Sequence, residues 1–169
     1  MHVHIIYTGG TIGMVDSPHG LVPGADLEGW LDSLLKGTPL ARSVSVTSLT
    51  PLIDSSNATP LSWQAIVDDL RAHAAADPQT AFVILHGTDT MAYTSAALSY
   101  ALTDLSVPVV VTGSQLPLGE LGTDAAANVT GALKAATSGR LSGVALFFGH
   151  RLLAGNRATK SSSWAFAGF

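Results

Sequence analysis

The run Phe82-Val83-Ile84-Leu85-His86-Gly87-Thr88-Asp89-Thr90-Met91 decides how this chain folds. Its first four residues are apolar without alternation. They give way to a histidine, a glycine, hydroxyls and a carboxylate, and then to a helical pattern of Ala, Leu, Met and Tyr over 90–103. A strand that alternates hides one face, whereas a strand that is apolar throughout is covered on both. A helix following it at once is the crossover of a parallel pair.

The same succession recurs outward from this run. Val3–Tyr7, Ser43–Leu52, Val107–Val111 and Val144–Phe148 read as further strands. Helical spacing appears at 26–36 behind an Asp26 cap, and after Thr59-Pro60, where Trp63, Ile66, Val67 and Leu70 form the apolar stripe. An Ala-rich helix is predicted over 122–139. The pattern predicts α/β architecture, an open, doubly wound, mainly parallel sheet of about five strands, in a single domain over residues 1–169. Residues 8–25, with Gly9, Gly10, Gly13, Pro18, Gly20, Pro23 and Gly24, read as an irregular, mobile loop.

Composition removes several classes. There is no cysteine, hence no disulfide, thiolate nucleophile or Cys-type zinc site. Eight Lys and Arg against 12 Asp and Glu leave a net charge of −4, without the basic face that a nucleic-acid partner requires. Charged residues are only 12% of the chain, about half of the usual quarter. The charge-free stretches 1–15 and 105–119 both contain glycine and fall short of the ~20 apolar residues that span a bilayer, so no membrane partner is expected. The start lacks a basic n-region, which points to the cytoplasm. Apolar surface in so weakly charged a chain is then expected to lie between copies, in a homo-oligomer.

In a doubly wound sheet, ligands bind beyond the carboxyl ends of the strands. There the sequence places Thr8-Gly9-Gly10-Thr11, Asp54-Ser55-Ser56-Asn57, His86-Gly87-Thr88-Asp89 and Thr112-Gly113-Ser114-Gln115. The first is not a phosphate loop. It lacks the Lys-Ser/Thr ending, and Pro18, Gly20 and Pro23 forbid the helix whose N-terminus would face an anion. Thr11, beside glycines that leave backbone amides open, suits a nucleophile next to an oxyanion hole. Its hydroxyl needs a group to take the proton, and Asp89, Lys160 and His86 are the candidates. Competing readings stand beside each: Asp89 as a helix N-cap, Lys160 as a solvated tail lysine, His86 as a core-edge histidine. The six histidines show no metal-ligand spacing, so no metal site is expected.

Two of these segments, Thr8-Gly9-Gly10-Thr11-Ile12-Gly13-Met14 and Phe82 to Met91, resemble the signature motifs of the bacterial-type L-asparaginases, closest to the cytoplasmic type I branch. Thr50-Pro51-Leu52-Ile53-Asp54-Ser55-Ser56, Val111 to Pro117 and Gly155-Asn156-Arg157-Ala158-Thr159-Lys160 extend the likeness in order along nearly the whole chain. The resemblance implies hydrolysis of L-asparagine to L-aspartate and ammonia with no cofactor. By position it makes Thr11 the nucleophile and Thr88, Asp89 and Lys160 the second catalytic group. Gly10, Ser55, Ser56, Thr88, Asp89 and Ser114 become substrate-binding positions. Ser55 is the expected grip on the α-carboxylate, Asp89 the partner of the α-ammonium, and the Ser114 carbonyl the acceptor for the amide.

Two departures accompany the likeness. The family carries a loop tyrosine that helps to activate the nucleophile, and Leu21 stands there. It also carries a C-terminal domain, whereas this chain ends at Phe169. Their joint absence leads to the expectation of a short form in which Lys160, acting through Thr88 and a water, replaces the missing phenol. A non-catalytic amino-acid-binding lobe is the alternative.

Overall fold

The computed structural model describes residues 1–169. In chain order it contains β1 (Val3–Tyr7), β2 (Met14–Ser17), β3 (Gly20–Pro23), α1 (Leu27–Leu35), β4 (Val44–Ser48), α2 (Pro60–Ala76), β5 (Ala81–Leu85), α3 (Met91–Ala101), β6 (Pro108–Thr112), α4 (Ala125–Ala136), β7 (Gly143–Phe148) and β8 (Arg151–Ala154). Six strands form one sheet in the order β4-β1-β5-β6-β7-β8, parallel except for the β7–β8 pair.

The non-alternating strands are the central ones, and every residue of β1, β5 and β6 is buried. Successive side chains still point to opposite faces. Val3, Ile5, Val83, Leu85 and Val110 pack on one side with α1 and α4. Ile6, Phe82, Ile84, Val109 and Val111 pack on the other with α2 and α3. Each such side chain contributes about 1.5–3 kcal/mol by leaving water. The helices start where their caps say. Asp26 Oδ1 accepts the Gly29 N–H at 2.9 Å, and Ser62 Oγ accepts the Thr59 N–H at 3.1 Å ahead of Pro60.

The chain leaves β1 for its neighbour β4 on one side, then returns to form β5 on the other. The topological switch point therefore lies between β1 and β5, and the crevice outside their carboxyl ends is where such sheets bind ligands.

Three expectations are corrected. Residues 8–25 are not irregular: Thr11–Gly13 is a 3-10 turn, and β2 and β3 form an antiparallel hairpin pairing Met14 with Pro23 and Ser17 with Gly20. The glycines and prolines that suggested a loop are largely its turn and ends, where Ser17 Oγ donates to the Gly20 carbonyl. The sheet has six strands rather than about five, because Arg151–Ala154 returns along β7 through a two-residue turn at Gly149 and His150 with φ of 55 and 66°. A four-residue edge strand beginning with arginine carries little apolar signal. Finally, β4 ends at Ser48, and the chain beyond it runs irregularly to Ser55.

Candidate active site

The site begins with backbone packing. The Thr8 N–H and hydroxyl both donate to the Leu85 carbonyl at 3.0 Å, and Ile53 N donates to the Thr8 carbonyl at 2.6 Å. These bonds hold three strand-end loops together. Gly10, at a φ of 96°, lies so near the next loop that a Cβ there would sit 2.5 Å from Gly87 Cα. Gly87 in turn rests against the Ser55 hydroxyl with no room for a side chain. Glycine is needed at 10 because two backbones meet there, and at 87 because the Ser55 side chain fills the space.

Beyond Gly87, the competing readings of Asp89 and Lys160 separate. Asp89 does not cap α3. It is 62% exposed and accepts from Lys160 Nζ at 3.0 Å, while Thr90 occupies the cap position. Lys160 is no solvated tail lysine: its side chain is 17% exposed, and Nζ also donates to Thr88 Oγ1 at 2.9 Å. The tail reaches this point because Gly155 is clamped on α3, its carbonyl accepting from buried Ser95 Oγ at 2.9 Å. One ammonium thus bridges a buried hydroxyl and an exposed carboxylate.

Thr11 stands across the switch point, half-buried, in a turn tied at several points. The Ile12 carbonyl accepts from Leu118 N, and the Gly13 carbonyl from Gly24 N and Ala25 N, each at 3.1 Å. Ser55 is buried, and its carbonyl accepts from Thr90 Oγ1 at 2.7 Å, which locks the 53–57 segment over the start of α3. Ser56 is exposed and turns its hydroxyl to Asp54 Oδ1 at 2.8 Å. With the Ser56 hydroxyl and N–H and the Asn57 amide on it, the Asp54 carboxyl is held below the usual range. Ser114 is buried, and its hydroxyl donates to the Leu116 carbonyl. Leu21 lies on β3, 44% exposed and paired with Asp16.

Two residues that the sequence reading did not single out belong to this framework. Gln115 accepts a long hydrogen bond from Thr88 Oγ1 (3.4 Å) and donates Nε2 to the Ala165 carbonyl at 3.0 Å, so it connects the site to the tail. Asp124 receives the Gln115 N–H at 3.0 Å, the Leu116 N–H at 3.2 Å and Asn128 Nδ2 at 3.0 Å, and so fixes the 114–116 loop. Gln115 lies within the strand-end segment Thr112-Gly113-Ser114-Gln115. Asp124, nine residues further along the chain, gave no local signal.

His86 is a core histidine. Its Nδ1 bonds the Gly87 carbonyl at 2.7 Å, so it carries the proton there, and Nε2 pairs with Thr94 Oγ1 at 3.0 Å, which also accepts Trp63 Nε1. Burial pushes its basicity down. A second histidine group lies at the other end of β1. Buried His4 stacks on His73 with centroids 3.6 Å apart, near Asp69. The three could hold a metal only after rearrangement. Lone pairs of nearly parallel stacked rings do not converge on one point, and both His4 nitrogens already bond hydroxyls of Ser45 and Thr47.

The arrangement suits acyl transfer: a threonine in the glycine-rich turn after β1 lies across the switch point from a hydroxyl, carboxylate and ammonium held in contact after β5. The chain belongs to the asparaginase N-terminal family, whose sequence profile matches residues 2–169. It is 45% identical over 172 residues to L-asparaginase 1 of Escherichia coli strain K12, covering 99% of this chain and 49% of that protein. The structure of L-asparaginase I from Vibrio cholerae O1 biovar eltor superposes with a TM-score of 0.84 at 43% identity, covering 96% of this chain and 49% of the other. The thermostable L-asparaginase from Thermococcus kodakarensis gives 0.85 at 29% identity, covering 99% and 50%. The chain therefore spans about half the length of the relatives it matches.

Proposed function

We infer that this chain hydrolyses the side-chain amide of L-asparagine to L-aspartate and ammonia, with Thr11 as nucleophile. The observation that carries the reading is Lys160 bridging Thr88 and Asp89 at 2.9 and 3.0 Å across the switch point from Thr11. Thr11 Oγ adds to the carboxamide carbon, the C–N bond breaks, and ammonia departs with the proton that the hydroxyl gave up. Water then adds to the ester carbon, the C–O bond breaks, and a proton returns to Thr11. Thr88 and Lys160 relay these protons, and the backbone amides around Gly10 stabilise the oxyanion. Ser55 receives the α-carboxylate, and Asp89, with one oxygen taken by Lys160, receives the α-ammonium through the other. Ser114 offers its carbonyl to the amide.

The low charge content and the exposed Leu121, Trp164 and Phe166 support assembly with further copies. No helix is long and apolar enough to cross a membrane. Together with the likeness to the type I branch, this supports a cytoplasmic setting. Release of ammonia from asparagine and glutamine side by side tests the activity: the wild-type chain should turn over asparagine, and Thr88→Ala should lose about 10²–10⁴-fold. Exposed, apolar Leu21 on β3 favours the second reading, an amino-acid-binding lobe without turnover. Asparagine binding with no ammonia release would establish it.

A further inference from the structure

Tyr7 ends β1 with its side chain buried, 6% exposed, and its hydroxyl is the one buried side-chain polar atom without a hydrogen bond. Other buried polar groups nearby are paired: Thr8 on Leu85, His86 on Gly87 and Thr94, Asn128 on Gly113. An unpaired buried hydroxyl is destabilising, and one retained in a well-packed fold calls for an explanation. The phenol lies directly beneath Gly13, so close that any side chain at 13 would run into it. Gly13 closes the 3-10 turn that Thr11 opens.

We propose that Tyr7 is a positioning residue for Thr11, its hydroxyl donating to a carbonyl of the 10–13 turn when that turn settles on bound asparagine. The inference rests on the asparagine reading of the same site. Burial raises the phenol's pKa above its usual value, so the group serves as a donor and not as the missing base. The turn has acceptors with capacity to spare. The Gly10 carbonyl takes only Gly13 N, at 3.2 Å, and the Ile12 carbonyl only Leu118 N, at 3.1 Å, which leaves each a second lone pair. The Gly13 carbonyl already holds two N–H groups. A small shift of the turn toward its own strand would complete the bond and fix the height of Thr11 Oγ above the sheet. A hydroxyl idle in the free protein and engaged in the complex strengthens the complex, and by fixing Thr11 it also orients the attack.

Tyr7→Phe tests this with two readouts of opposite sign. Without asparagine its unfolding midpoint should match or exceed wild type, since no bond is lost. Its KM should rise and its kcat fall, together about 10-fold in kcat/KM, and the rise in midpoint on adding asparagine should shrink. A lower midpoint in the free protein would mean that the hydroxyl is paired there, and would overturn the proposal. So would unchanged kcat with an unchanged asparagine response. If wild type neither releases ammonia nor is stabilised by asparagine, the functional reading itself fails and takes this role with it. An asparagine response in wild type that Tyr7→Phe reproduces in full sinks the Tyr7 role alone.

Discussion

Thr11 and Lys160 are asked for different things, and their substitutions separate the two roles. Thr11→Ala removes the atom proposed to form the acyl bond. Ammonia release should fall by at least about 10³-fold, with asparagine binding kept. Lys160→Met keeps the stem's packing but deletes the bridge between Thr88 and Asp89. A loss of about 10²–10⁴-fold in kcat is expected, and wild-type turnover by Lys160→Met would remove it from the proton relay. The shared location was legible in the chain, because strand-end motifs place Thr11, Ser55, Thr88 and Ser114 at one edge whatever the loop details. The contact between Asp89 and Lys160 was not legible from local pattern. A carboxylate before a helix reads equally as a cap, and Lys160 lies 71 residues further along the chain. Only the docking of Gly155 on α3 resolves it.

Elements decide how tightly those residues are held. Gly10→Ala combines an unfavourable φ of 96° with a Cβ 2.5 Å from Gly87 Cα, so the β1 and β5 loops must part. A loss of about 2–4 kcal/mol in denaturant unfolding is expected, and a neutral result would show that the loops are not in contact. Asp124→Ala strips the 114–116 loop of its anchor and should weaken asparagine binding more than it slows turnover, measured as KM against kcat. The crossover helices were readable because their apolar periodicities are long, and the central strands because they are apolar throughout. The β2–β3 hairpin and β8 were hidden by brevity: four-residue strands carry too few side chains to show a period.

At the scale of the molecule, the sheet has a chemical end and a structural end. At the latter, His4 is held neutral, its pKa lowered from 6.5 to about 4, chiefly by burial and then by His73 stacked on it, against the opposing pull of Asp69, with His2 a smaller influence. The unfolded chain therefore takes up this proton first. The stability associated with neutral His4 is complete above about pH 6.5 and is lost as pH falls toward about 4, on the order of 3 kcal/mol. Urea unfolding of wild type and His4→Leu at pH 7 and 4.5 checks this: the variant should lose less stability on acidification, and equal losses would contradict it. At the chemical end, the proposed reaction depends on Thr11 becoming acylated. Acid-quenching a reaction with asparagine and mapping the peptides by mass spectrometry tests that most directly. An aspartyl group (asparagine less ammonia) on the peptide carrying Thr11, absent from Thr11→Ala, is the predicted result. Ammonia release with that peptide unmodified, and undiminished in Thr11→Ala, would contradict it.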